Sequence, residues 1–172
     1  MTMAGASVGW AYAGYLLWLV AGCLDFAQHR RSDLAHTSGL RESSLHGVQL
    51  CLLGVAALAW LALRPSLMLL ALSTALVAAH AGVGYADTVS AFGRRRIGPL
   101  EQHVHSVLDM APWIALGLLV VTTLPDAWSA GWRLEWEPEP ARTWLAWLLP
   151  PGLLCLLPWL AEYRASLRAR SA

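Results

Sequence analysis

The chain has 172 residues, of which 57% are hydrophobic and only 13% charged, with a formal net charge of +1. That balance leaves room for a single polytopic membrane domain over 1–172 and excludes an ordinary water-soluble core. It equally excludes a basic nucleic-acid binder, and no nucleic-acid recognition motif occurs.

Five apolar stretches fall at about 8–24, 47–63, 66–87, 103–124 and 143–161. Each is close to the ~20 residues that cross a hydrocarbon core about 30 Å thick. The expected fold is an all-α integral membrane protein with five transmembrane helices, four of them forming a bundle.

The first stretch contains Val20-Ala21-Gly22-Cys23, which has the form of a lipoprotein cleavage box. No Arg or Lys precedes it, so the basic region of a signal peptide is missing and an uncleaved span is expected. The stretch runs into Asp25 and His29. In a helix, residues four or seven apart share a face, so Asp25, His29 and His36 form one stripe if the helix continues that far. Ser38 is a candidate cap for the second helix, and Gly39 is an easy break after the first. Glu42, His46 and Gln49 then align on one face. Cys51 here and Cys155 in the fifth stretch stand alone in apolar surroundings and read as small buried hydrophobes.

The third stretch places His80 among Ala78, Ala79 and Ala81, and aligns it with Gly84 and Asp87. Tyr85 is either a core side chain or a hydrogen-bond donor beside a site. Gly98-Pro99 opens the fourth helix, since proline suits a first turn. There Glu101, His105 and Asp109 align, while His103 points to the opposite side. Asp33, His36 and His103 read first as solvated or capping groups. The loop from Pro125 to Arg142 is acidic, and Trp128, Trp132 and Trp136 are spaced as an amphipathic segment at an interface. Pro150, Pro151 and Pro158 predict a kink in the fifth helix.

All twelve basic residues are Arg. They gather after the first and third stretches and in the tail, against an acidic last loop. The positive-inside rule therefore puts the N-terminus outside and the C-terminus in the cytoplasm. A weak repeat relates 8–63 to 66–124. Both halves read helix, basic loop, Glu-x-x-x-His, helix.

All six histidines lie between residues 29 and 105, at or beside the same end of these helices, most with an acid at helical spacing. Four helices offering imidazole and carboxylate at one membrane face predict a metal site of Asp25, His29, Glu42, His46, His80, Asp87, Glu101, His105 and Asp109. Tyr85, Gln49, His36 and His103 are its candidate neighbours. Imidazole is a neutral nitrogen ligand and carboxylates offset the ion's charge, as in di-iron bundle cores. Such donors favour two Fe, with Zn or Mn as alternatives. Ionisable groups within a membrane are costly and point to function.

The gathering of these acid–histidine pairs at the cytoplasmic ends of membrane helices resembles the histidine-rich membrane di-iron enzymes, the desaturases and hydroxylases. The chain has neither H-x-x-H-H nor H-x-x-x-H. The resemblance implies an oxidoreductase using O₂ on a lipid or other lipophilic small molecule, with an electron-donor protein as partner. The residues also allow a zinc-dependent membrane hydrolase, a haem-binding subunit with paired histidines, an ion or proton carrier, and a non-catalytic accessory subunit.

Overall fold

In hydrocarbon every peptide N–H and C=O has to be bonded within the protein, and a helix does this locally. The computed structural model, which describes residues 3–171, is accordingly helical. Its elements are α1 (Met3–Arg31), α2 (Gly39–Ala62), α3 (Leu67–Ala91), α4 (Pro99–Ala130), α5 (Ala141–Pro151) and α6 (Leu157–Ser171). A π-helical turn, Gly152–Leu156, joins α5 to α6, so these three pieces form one segment. Five segments are long and apolar enough to cross a membrane: Gly9–Arg31, Gly39–Ala62, Leu67–Ala91, Pro99–Ala130 and Ala141–Ser171. Their mean hydropathies are 1.3 to 1.9.

The helices pack in a closed ring in the order α1, α4, α3, α2, α6 and back to α1. The four helices expected to bundle are thus completed by the fifth. Away from the ring the surface is apolar, with Leu17, Val55, Ile114, Leu118 and Leu153 among the exposed side chains. Cys51 belongs to this outer surface, against the expectation of burial, whereas Cys155 is buried.

Lipid removes most of the hydrophobic drive for helix association, so close contact carries the packing, often at small residues. At Gly47 of α2, an added Cβ would stand 2.5 Å from the Trp159 ring of α6. The indole lies across that gap and donates to the Ser43 carbonyl at 2.8 Å. At Gly22 of α1, a Cβ would be 3.1 Å from Cys155 Sγ. Leu19, Phe26 and Cys155 form the apolar cluster at this seam.

Pro150 and Pro151, inside α5, free the carbonyls of Ala146 and Trp147, which accept from the Tyr12 and Tyr15 hydroxyls of α1, and Pro158 acts through the π turn. Pro158 cannot donate to the carbonyl of Leu154, and its ring crowds that group. Leu154 lies within the widened turn, where Leu157 N–H reaches back to the Gly152 carbonyl. A π turn accommodates the missing donor without ending the helix.

Helix ends depart from expectation in two places. Ser38 precedes α2 but makes no side-chain capping bond. Gly98 and Pro99 do open α4. Trp128 closes α4, whereas Trp132 and Trp136 follow Gly131, whose φ of +66° ends the helix. The residues beyond form an extended strap over the end of α2, with Leu63 bridged to Trp136 and Glu139 N–H bonded to the Leu61 carbonyl at 2.8 Å. The tryptophans are exposed, but a helical stripe across all three does not form.

Candidate metal centre

The last two turns of α1 bring Asp25 and His29 inward, and the first two turns of α2 and α4 bring Glu42/His46 and Glu101/His105. Asp87 comes from the end of α3. All but His105 are buried, and the His105 side chain is 22% exposed. The fifth buried carboxylate is one the sequence did not single out, Glu162 of α6.

Glu162 links two stacked imidazoles. The rings of His29 and His46 are 4.7 Å apart and nearly parallel. Glu162 Oε2 is 2.8 Å from His29 Nδ1, and its Oε1 is 2.9 Å from His46 Nδ1. A carboxylate at Nδ1 fixes that nitrogen as N–H and leaves Nε2 as the lone-pair donor. Both Nε2 atoms turn away from Glu162 toward other acids.

Around His29 Nε2 stand Asp25 Oδ2 at 3.3 Å, Glu101 Oε1 at 3.6 Å and Glu42 Oε1 at 3.9 Å. None is aligned as a hydrogen bond, and His29 Nε2 and Asp25 Oδ1 are buried without a hydrogen-bond partner. His105 Nε2 comes within 2.9 Å of Asp25 Oδ1, off the axis of a hydrogen bond. His46 Nε2 is hydrogen-bonded to Asp87 Oδ2 at 3.1 Å, a contact that a bound ion would replace, and the other oxygen of Asp87 is buried and unpartnered. For metal bonds of about 2.0–2.2 Å, adjacent donors on a tetrahedral or octahedral ion are separated by roughly 2.8–3.6 Å. Most of these spacings are of that kind.

Two groups of donors therefore share the interior. Asp25, His29, Glu101 and His105 make one; Glu42, His46 and Asp87 make the other; and His29, His46 and Glu162 join them. Each outer group contains an Asp, a Glu and a His. Asp25 corresponds to Asp87 in the two halves of the chain, Glu42 to Glu101 and His46 to His105. The pairing crosses between helices, with His105 on Asp25 and His46 on Asp87.

Arg95, from the loop between α3 and α4, lies between the groups. Its side chain is only 1% exposed. Nη2 is 2.5 Å from Glu42 Oε1, Nε is 3.1 Å from the same oxygen, and Nη1 also binds Glu101. Burial by itself lowers the pKa of this guanidinium. Glu42, and then Glu101, outweigh burial and hold the pKa above its ordinary value.

Several expected members stand elsewhere. His80 is buried, but two turns above Asp87, roughly 10 Å along the helix, and it makes no ion pair or hydrogen bond among the described residues. Asp109 lies one turn beyond His105, across from Gly84, where a Cβ would be 3.3 Å from its Oδ1 and 3.7 Å from Gln49 Oε1. His36 leaves the α1 stripe because the helix ends at Arg31. Asp33 adopts a left-handed φ of 53°, and His36 pairs locally with it at 2.7 Å, exposed to solvent. His103 is exposed, opposite the site, and Tyr85 is 74% exposed on the outer surface.

Fold and site together define a multi-span helical protein with a buried acid–histidine cluster able to hold metal ions. No protein-family model, curated protein or solved structure matches the chain.

Proposed function

We propose that this chain is a membrane-embedded dinuclear metalloenzyme, a di-iron oxidoreductase acting on a lipophilic substrate at the cytoplasmic membrane face. The observation that carries this reading is the pair of matched Asp/Glu/His groups, each with buried donor atoms that have no hydrogen-bond partner. Charge supports two ions. The described residues include five buried carboxylates, Asp25, Glu42, Asp87, Glu101 and Glu162, all of them in this cluster. Arg95 offsets one negative charge, and two divalent ions would offset the other four. Left uncompensated, such charge is expensive to bury.

Imidazole and carboxylate donors without thiolate suit iron, manganese or zinc. None of the three cysteines belongs to the donor groups. The oxidation proposed inserts one atom of O₂ into a substrate C–H bond. The other oxygen leaves as water, with two electrons and two protons delivered through a donor protein. The part-exposed His105 marks the side on which substrate would approach. The arginine-rich loops at this end of the helices support a cytoplasmic placement of the cluster under the positive-inside rule.

The test is elemental analysis of the detergent-purified protein beside His29→Ala and His46→Ala, followed by O₂ uptake with added lipids. About two irons per chain, reduced in both variants, is the expected result. One zinc per chain would replace oxidation with hydrolysis by a metal-activated water. A folded protein that neither carries metal nor takes up iron on reconstitution would overturn the reading.

A further inference from the structure

On the outside of the bundle, a furrow follows the seam between α2 and α6. Its upper part, of about 420 Å³, is lined by Leu40, Arg41, Ser44, Leu45, Val48 and Arg170. The part below, of about 450 Å³, shares Ser44 and Val48 and continues past Cys51, Leu52 and Val55. Trp159 and Tyr163 form its aromatic wall. Gly47 makes this shape possible, because the absent side chain lets the Trp159 ring lie against α2. From Arg41 to Val55 the helix rises about 21 Å, most of the thickness of one leaflet with its head-group layer.

The two ends of the furrow differ in chemistry. Arg41 and Arg170 stand together at the end of the bundle that carries the arginine-rich loops. Both are exposed, and neither pairs with a carboxylate among the described residues. Below them the lining is almost wholly apolar, and the Trp159 N–H is already satisfied by the Ser43 carbonyl. Two unpaired cations above an apolar channel parallel to the helices complement one kind of molecule: a lipid with an anionic head group and an acyl chain. We infer that this furrow binds an anionic phospholipid. Arg41 and Arg170 hold the phosphate, and one acyl chain lies along Val48, Cys51 and Val55 against Trp159. Basic clusters at helix ends recognise such head groups, and the inference is independent of any metal in the bundle.

The experiment is native mass spectrometry of the full chain in detergent, titrated with phosphatidylglycerol or with phosphatidylcholine of the same acyl chains. The expected result is preferential retention of phosphatidylglycerol. Arg41→Ala/Arg170→Ala should weaken it about thirtyfold, the loss of roughly one surface-charge attraction for each arginine. Arg164→Ala/Arg168→Ala removes the same charge from α6 outside the furrow and should leave retention unchanged. Val48→Trp, which fills the channel from an exposed position, should weaken both lipids. Circular dichroism would establish that each variant is folded. Equal retention of the two lipids, equal losses in the two double variants, or unchanged binding in a folded Val48→Trp would each overturn the inference.

Discussion

Glu162 is the residue on which the orientation of the centre depends. One carboxylate accepts from the Nδ1 of both His29 and His46, so one side chain sets two tautomers and aims two Nε2 lone pairs. Glu162→Gln keeps the shape but has one oxygen where two are needed, and its amide cannot accept a proton from the second ring. Loss of a carboxylate behind a ligating histidine typically costs about 10–100-fold in metal affinity, and that is the expected loss in a competition titration with a chelator. Helix content should stay at the wild-type level. His80→Ala should leave metal affinity unchanged, because His80 contacts none of the cluster's acids. Wild-type affinity in Glu162→Gln would remove Glu162 from the centre.

Among the elements, the α2–α6 contact brings Glu162 to His46. It rests on Gly47 and Trp159, one residue from His46 and three from Glu162. A side chain at Gly47 must move the indole or separate the helices. Overpacking of this kind costs about 1–3 kcal/mol. Gly47→Val should therefore lower thermal stability in detergent by about that amount, read by circular dichroism. Trp159→Phe introduced into Gly47→Val should recover part of the loss, although it gives up the bond to the Ser43 carbonyl. Purely additive losses would mean that the two residues do not press on each other in the folded state. The π turn belongs to the same account. It carries the chain past Pro158 and lets α6 continue to Ser171, which makes Glu162 part of a helix rather than of a tail.

For the whole molecule, the governing quantity is the charge in the ring. Arg95 serves Glu42 and Glu101 together, one carboxylate from each donor group, and metal ions would compete for the same oxygens. In chelator-treated protein, Arg95→Gln leaves both carboxylates buried without their cation. Breaking a buried pair from one side costs about 3–5 kcal/mol. Ions bound to Glu42 and Glu101 would take over that compensation, and ligand binding stabilises the form that binds it. The destabilisation of Arg95→Gln should therefore be large after chelation and markedly smaller with metal present, in thermal unfolding followed on both forms. The same loss with and without metal would show that Arg95 and the ions do not share these carboxylates.

The sequence alone determined the solvent and the helices. Long apolar runs satisfy their own hydrogen bonds only as helices in lipid, and that requirement is local, so the runs show it directly. It also placed Asp25/His29, Glu42/His46 and Glu101/His105, because pairs four apart share a face whatever the helix packs against. Tertiary structure decided the rest. Glu162 stands alone on α6, with no histidine one turn away, and reads as a solvated acid until the ring closes over it. Its one local sign is that it lies on the same helix face as Ser166, four residues on, which is also buried. His80 has the burial expected of a ligand, but its depth separates it from the other acids, and His36 is lost to a left-handed residue at Asp33. Arg95 is one of three adjacent arginines with the same local character. Only the closure of α1, α2 and α4 around its loop makes it the cation between two carboxylates, because long-range charge pairing is a property of the packed helices and not of any segment.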